Sequence, residues 1–331
     1  MRLLRKKDAN GGTDGQRYSL YYSSDIHGSD RCWRKFLGAG RHYKVNALIM
    51  GGDLTGKAIV PIRQRPDGTY ETEFLGDVRK AANDEQLQEI IDAVRFNGMY
   101  VWIAPEAEIN RVGDSVDAQG ALFDEILRQD IGRWIELADN RLPDSGIEAF
   151  VMPGNDDPWA IDEVLERGSH IVQCDERVVR AGPYEMISLS YANPTPWNSP
   201  RELDEDALYE RFKRLAEQLE DPATSIFNLH VPPYDSGLDT AIEINPDDLS
   251  RVERAGSPNE IPVGSTAVRQ IIEEYQPLLA LHGHIHECRA ATKIGRTLSI
   301  NPGSEYNSGR IHGVIVKLRG AEVVGHQFVV G

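Results

Sequence analysis

Apolar and polar positions along the 331-residue chain fall into short blocks, most of them ending at a turn. Tyr18, Leu20 and Tyr22 alternate within Arg17–Ser24, the period of a half-buried strand. Ala47-Leu48-Ile49-Met50 is an unbroken apolar run that reads as a strand buried on both faces, and it ends at Gly51-Gly52-Asp53. Further strands are predicted over Tyr100–Ala104, Ile147–Met152, Ile171–Val172, Val178–Arg180, Met186–Ser190, Ser225–Leu229 and Leu278–Leu281, and within Thr297–Val330. Ile59–Phe74 reads as a hairpin turning at Pro66-Asp67-Gly68.

Helical spacing is carried by four other stretches. Leu87, Ile90, Ile91 and Val94 follow the capping pattern Asn83-Asp84-Glu85-Gln86, with Gly98 as a stop. Leu127, Ile131, Trp134, Ile135 and Ala138 share a face behind a Ser115 cap. Leu208, Phe212, Leu215 and Leu219 share another, and Ser199-Pro200-Arg201-Glu202 predicts where that helix begins. Val268, Ile271, Ile272 and Tyr275 lie between a Ser265 cap and Pro277. A polar loop is expected from Tyr234 to about Gly264. The pattern predicts a flexible tail over 1–16 and one α/β domain over 17–331. Within that domain, 54–147 is a long insertion acting as a cap or side lobe.

Composition narrows the class. Hydrophobic residues make up 40% and charged residues 27%, as in a globular protein with a substantial core. The formal net charge of −16 supplies none of the phosphate-neutralising surface that bulk nucleic-acid binding needs. Cys32, Cys174 and Cys288 are sparse and widely spaced, which predicts reduced thiols and a cytoplasmic location. No apolar run has the length of a membrane span, so no membrane partner is expected. Arg2, Arg5, Lys6 and Lys7 are followed by polar, Gly-rich sequence where a signal peptide needs its apolar segment.

The candidate chemistry sits at strand ends: Asp25, His27, Asp53, Asn155, His230, His284 and His286. Imidazoles, carboxylates and one amide suit Mn, Fe, Co, Ni or Zn better than Mg or Ca. Seven ligands exceed the need of one ion, so two ions sharing a carboxylate are expected, a pair about 3.5–4 Å apart that can clamp a phosphoryl group. Asp156 and Asp157 read equally as a helix start and as part of the site. Trp197 and Tyr234 are candidates to stack on a nucleobase, with packing as the simpler role. Arg251 and Arg254 are candidates to reach a phosphate, against a plain solvated charge pair. His282 and His312 read as structural, and His42 and His170 as exposed.

Five motifs in order, Asp25-x-His27, Gly52-Asp53, Gly154-Asn155-Asp156, His230 and Gly283-His284-x-His286, resemble the signature of the calcineurin-like metallophosphoesterases. His282-Gly283-His284-Ile285-His286-Glu287 and Asn301-Pro302-Gly303-Ser304 are similar to the cyclic-nucleotide-phosphodiesterase-like branch. The resemblance runs from about residue 18 to the C-terminus. It implies a four-layer α-β-β-α sandwich and two divalent cations, manganese favoured, at the strand ends. Asp25, His27, Asp53 and His286 would hold one ion. Asp53, Asn155, His230 and His284 would hold the other, with Asp53 bridging. A hydroxide held between the ions would attack the phosphorus of a small phosphodiester or phosphomonoester in line. Many members carry His where this chain has Asp156, and that His protonates the leaving group. An Asp beside two cations is expected to be ionised at pH 7 and to donate nothing. The rival readings are an interaction scaffold on the same fold and a nuclease, the latter opposed by the acidic surface.

Overall fold

A computed structural model describes residue 15 and residues 17–331. The tail expected over 1–16 lies, Gly15 apart, outside the described residues. Two six-stranded sheets carry the fold. The first runs, in spatial order, β20 (Glu322–Val330), β19 (His312–Arg319), β1 (Arg17–Ser23), β2 (Ala47–Met50), β7 (Glu148–Val151) and β8 (Val172–Gln173). From β1 to β8 the strands are parallel, while β19 and β20 add antiparallel pairs at one edge. The second runs β17 (Ala290–Ile294), β18 (Thr297–Asn301), β16 (Leu279–Leu281), β11 (Ile226–Leu229), β10 (Tyr184–Leu189) and β9 (Val178–Ala181). Its four middle strands are parallel.

Alternation along each strand sends side chains to two cores. Leu20, Tyr22, Ala47, Ile49 and Phe150 of the first sheet share a core with Met186, Ile226, Leu279, Leu281 and Ile300 of the second, so the sheets pack face to face. The opposite face of the first sheet, with Tyr21, Leu48, Met50 and Val151, is covered by α1 (Asp30–Tyr43) and α4 (Val116–Arg141). The opposite face of the second, with Ile187, Phe227, Leu229 and Ala280, is covered by α6 (Glu205–Ala216) and α7 (Thr266–Tyr275). Parallel strands covered on both faces have no solvent side, which explains the unbroken apolar run Ala47–Met50.

The insertion 54–147 divides in two. Its first part is a separate lobe: β5 (Asp77–Ala81), β4 (Tyr70–Phe74), β3 (Ile59–Gln64) and β6 (Tyr100–Pro105) form one sheet. Residues Val60, Ile62, Phe74 and Ala81 of that sheet pack on Leu87, Ile90 and Val94 of α2 (Asp84–Phe96). The second part is α3 (Glu106–Gly113) and α4, and α4 belongs to the main core rather than to a cap. Its Leu127, Ile131, Trp134, Ile135 and Ala138 are buried against α1, where the Trp33 and Trp134 rings stack 5.2 Å apart. Trp33 Nε1 also donates to the Trp134 carbonyl at 3.0 Å.

Three expectations change. The helix predicted to start at Ser199 starts instead at Glu205, with Asp204 as its cap accepting from Ala207 N. The Glu202 carboxylate is taken up by Thr195 and Ser199, which folds 195–202 into a loop. The polar loop after Tyr234 contains two small ladders, β12 (Thr240–Ile242) with β15 (Glu260–Pro262), and β13 (Glu253–Arg254) with β14 (Ser257–Pro258). Helix α1, capped by Ser29, has no counterpart among the predicted helices; Gly38 and Gly40 inside it weaken its local signal. A short helix α5 (Asp162–Leu165) follows β7. No helix among the described residues is long and apolar enough to cross a membrane.

Trp134→Ala is expected to cost about 3–5 kcal/mol of folding stability, the range for truncating a buried aromatic. Urea unfolding followed by circular dichroism measures it. A loss below about 1 kcal/mol would place α4 outside the cooperative core.

Candidate metal centre

Each site residue sits on a turn at the carboxyl end of a parallel strand, the end at which open α/β sheets present ligands. Asp25 and His27 follow β1, Asp53 follows β2, Asn155 and Asp156 follow β7, His230 follows β11, and His284 and His286 follow β16. Asp25, His27, Asp53 and His284 all have positive φ, at 58°, 36°, 50° and 66°. A non-glycine residue there costs on the order of 1–3 kcal/mol unless its surroundings impose it. Backbone bonds between the first two turns do so: Asp25 N to Gly52 O, Ile26 N and His27 N to Asp53 O, each 3.0 Å, and Gly28 N to Leu54 O at 2.7 Å.

The acids are then aimed by backbone donors from other turns. His284 N donates to both carboxylate oxygens of Asp25, at 3.0 and 3.1 Å. Asp156 N donates to Asp53 Oδ1 at 3.0 Å. The glycines of two motifs make this approach possible. A Cβ on Gly154 would lie 2.1 Å from Asp53 Oδ1, and one on Gly283 would lie 2.4 Å from Asp25 Oδ2.

The turns gather three overlapping groups whose ligand atoms lie within 4.8 Å of one another. They are Asp25, His27 and His286; Asp53, His230 and His284; and His27, Asp53 and Asp156. Asn155 joins the second group. Its Nδ2 donates to Ser199 Oγ at 2.6 Å, so its Oδ1 points at His284 Nδ1, 2.8 Å away, and at His230 Nε2, 3.0 Å away. His230 Nδ1 faces the Gly51 carbonyl at 2.8 Å and, since a carbonyl only accepts, must carry the proton. His230 Nε2 therefore faces two acceptor oxygens, that of Asn155 and Asp53 Oδ1 at 3.4 Å. His27 Nε2 and His286 Nε2 face each other at 3.0 Å, with Asp53 Oδ2 3.6 Å from the former and Asp25 Oδ1 3.6 Å from the latter. Ligands at about 2.1 Å from one ion stand about 3.0 Å apart at right angles and about 3.4 Å apart in a tetrahedron. Acceptors converging at these spacings fit divalent cations among them.

Burial prepares His27 and His284 for a cation, whereas at His230 a cation would have to displace a proton. Burial pushes His27 and His284 down to about 3, leaving both rings neutral with lone pairs to offer. Asp25 is held well below the usual carboxylate range: burial opposes ionisation, but the His286 imidazole 3.6 Å away and the neighbouring His230 outweigh it. Burial raises Asp53 to about 6 against the pull of His230. His230 is raised to about 10, because the Asp53 carboxylate outweighs burial.

Asp156 is ion-paired to Lys57, a residue the sequence pattern did not single out. Burial opposes its charge, but Lys57 overrides burial, so the carboxyl is held below its ordinary value. Asp157 is fully buried and faces away from the ligand cluster, with Oδ2 accepting from Leu54 N and Gly154 N and Oδ1 from Thr55 N and Thr55 Oγ1, at 2.7–2.9 Å. It ties the Asp53 turn to the Asn155 turn. Arg201 is buried and clamps the same turn, donating from Nε to Asp157 O and from its backbone N to Asn155 O, while ion-pairing Asp162 and Asp175. In the sequence Asp157 read equally as a helix start and as part of the site, Arg201 lay inside a capping pattern, and Lys57 was a lone Lys. The Tyr306 ring packs 4.7 Å from that of His27. Beside His286 a cleft of ≈ 620 Å³ is lined by Arg289, Ser304, Glu305 and Arg310.

The remaining candidates stand apart. Trp197 is 62% exposed on the loop leading to Ser199, and Tyr234 is 39% exposed after β11. Arg254 pairs with Glu243 at 3.6 Å, and Arg251 is exposed on the neighbouring ladder. Among the described residues no hydrogen bond or ion pair joins these four to the ligand cluster. His282 is buried with Nδ1 on the Leu229 and Val231 carbonyls, a structural role. His42 and His170 are exposed, and His312 is buried 3.6 Å from Glu305.

No family model matches the chain. In sequence it is 31% identical over 160 residues to the uncharacterized protein MJ1162 of Methanocaldococcus jannaschii, a match over 47% of this chain and 64% of that protein, less than two thirds of its length. In structure it is similar to TT1561 of Thermus thermophilus, with a TM-score of 0.53 at 15% identity over 96% of this chain and 99% of that one. That likeness shows a shared fold. A looser one, with a TM-score of 0.38 at 12% identity over 95% and 99% of the chains, is to a structure described as an archaeal phosphodiesterase, and at that score it carries no argument.

Asp157→Asn replaces one of two accepting oxygens with an amide that meets donors already in place. The expected loss is about 3 kcal/mol of stability, as for leaving buried donors unpaired. Chemical denaturation measures it, and a loss under about 1 kcal/mol would mean that the two turns hold without this carboxylate.

Proposed function

We propose that the chain is a calcineurin-like metallophosphoesterase that hydrolyses a small phosphate ester at two divalent cations. The observation that carries this reading is the convergence of seven oxygen and imidazole ligands, without a thiolate, into overlapping groups, two of which contain Asp53. Two packed sheets with helices on their outer faces support the four-layer sandwich that the motifs imply.

Asp25, His27, Asp53 and His286 would hold one cation, and Asp53, Asn155, His230 and His284 the other. The donors, neither soft nor purely oxygen, suit Mn, Fe, Co, Ni or Zn, and manganese is the metal proposed. Such a pair would polarise the phosphoryl oxygens and make a water between them a nucleophile near neutral pH. The chain's own residues supply the geometry. Gly51 O fixes the His230 tautomer, Ser199 fixes the Asn155 amide, and His284 N and Asp156 N aim the two acids. Supporting contacts of this kind orient ligands and sharpen metal affinity. A cleft beside His286, lined also by Arg289 and Arg310, offers room for part of a small ester. The buried, unpaired Cys32, Cys174 and Cys288 support a reducing compartment such as the cytoplasm.

The test is elemental analysis of protein supplied with Mn²⁺, together with hydrolysis of an aryl phosphodiester and an aryl phosphomonoester. Two ions per chain and turnover on at least one ester are expected. Two ions with no turnover on any phosphate ester would favour a scaffold on the same fold.

Asp53→Asn is expected to empty both positions together and to lower turnover more than about 10²-fold, further than His286→Ala, because one carboxylate serves both ions. Metal content measured beside rate decides this. Full occupancy with near-normal turnover would remove Asp53 from the shared position.

A further inference from the structure

The Asp156 carboxyl group stands beside the place where a phosphate ester would bind. A carboxylate whose oxygen lies within 4.8 Å of ligand atoms of both His27 and Asp53 repels an incoming anion. The structure places a cation on that carboxylate. Lys57 Nζ contacts Asp156 Oδ2, with the lysine side chain 60% exposed and the aspartate 19% exposed. The ammonium therefore stands at the open side of the cluster, between it and solvent.

The backbone beneath Lys57 is fixed. Leu54 N and Thr55 N donate to Asp157, Leu54 O accepts from Gly28 N, and Gly56 N donates to Tyr100 Oη at 2.7 Å. Gly56 packs so closely on the Gly98 carbonyl that a Cβ would lie 2.1 Å from it. Such a foundation gives Lys57 a defined origin only four residues after Asp53, while its four-carbon stem stays free to move with a ligand. Arg289 and Arg310, the other cations near the site, line the cleft beside His286. Arg310 is already opposed by Glu305, and Arg289 lies over the Phe328 ring.

We propose that Lys57 is a substrate-binding residue of this site: its ammonium, held by Asp156, grips an oxygen of the bound phosphate group. Asp156 is then a positioning residue. The pair is neutral, so the carboxylate no longer repels the substrate, and the ammonium keeps N–H donors to spare for a phosphate oxygen. The proposal rests on the phosphoesterase reading and gives the Asp156 position a role other than proton donation.

The test uses inorganic phosphate binding to Mn²⁺-loaded protein by isothermal titration calorimetry, for wild type, Lys57→Ala and Lys57→Arg, with metal content and thermal unfolding measured on each. Two ions per chain and an unchanged unfolding temperature are expected in all three. The phosphate Kd should rise about tenfold in Lys57→Ala and stay within about threefold of wild type in Lys57→Arg, as for loss and retention of one charge-assisted contact. A Kd for Lys57→Ala within twofold of wild type, with both ions bound, overturns the proposal while leaving the phosphoesterase reading intact. Loss of metal in Lys57→Ala also overturns it, since Lys57 would then act on the ligand set. Wild-type protein that takes up no metal fails the phosphoesterase reading itself, and the proposal with it.

Discussion

The site depends on backbone N–H groups that reach across from one turn to the acid of another. His284 N holds Asp25, and Asp156 N holds Asp53, so each carboxylate is oriented by a different strand end. A carboxylate fixed in this way has little rotational freedom left, and its remaining lone pairs point into the space shared by the imidazoles. The arrangement has a cost. Four of the seven ligand-type residues adopt left-handed backbone, and two glycines come so close to the acids that no side chain fits. The bonds between the Asp25 and Asp53 turns offset that strain, and they exist because β1 and β2 are parallel neighbours whose ends lie side by side.

The turns in turn lean on a layer of buried charge. Asp157 joins the Asp53 turn to the Asn155 turn, and Arg201 grips the second turn from the far side through main-chain carbonyls. Burying a guanidinium is tolerable only when carboxylates share its environment, and Asp162 and Asp175 do so. The lobe touches the same framework. Gly98, between α2 and β6, lies against Gly56 and against the His27 carbonyl. The lobe therefore meets the turns of the ligand cluster at Gly98 and at Tyr100, both beside Gly56, the residue before Lys57.

The strands that end at the site, the seven ligand-type residues and their order were readable from the sequence because each of those residues follows a short apolar run. A strand buried on both faces must be apolar throughout, and the chain must turn where it ends; a polar residue at that turn stands out. Ser199-Pro200-Arg201-Glu202 shows the limit of such reading. Locally it has the grammar of a helix start, yet Glu202 finds Thr195 and Ser199 first, and the helix begins later. Helix α1 was hidden by its two glycines, and α4 looked like part of an outlying lobe until its packing on Trp33 joined it to the core.

Sequence by itself thus determined the class of fold, the candidate ligands and the acid that stands at position 156. It could do so because apolar period and residue type are local properties. Tertiary structure alone decided which residues support and complete the site. Lys57, Asp157 and Arg201 act on partners that the chain brings near only after folding, across separations of 99, 103 and 46 residues in the pairs Lys57–Asp156, Leu54–Asp157 and Arg201–Asn155. A charge has no preferred partner in one dimension; burial and the meeting of strand ends choose one for it.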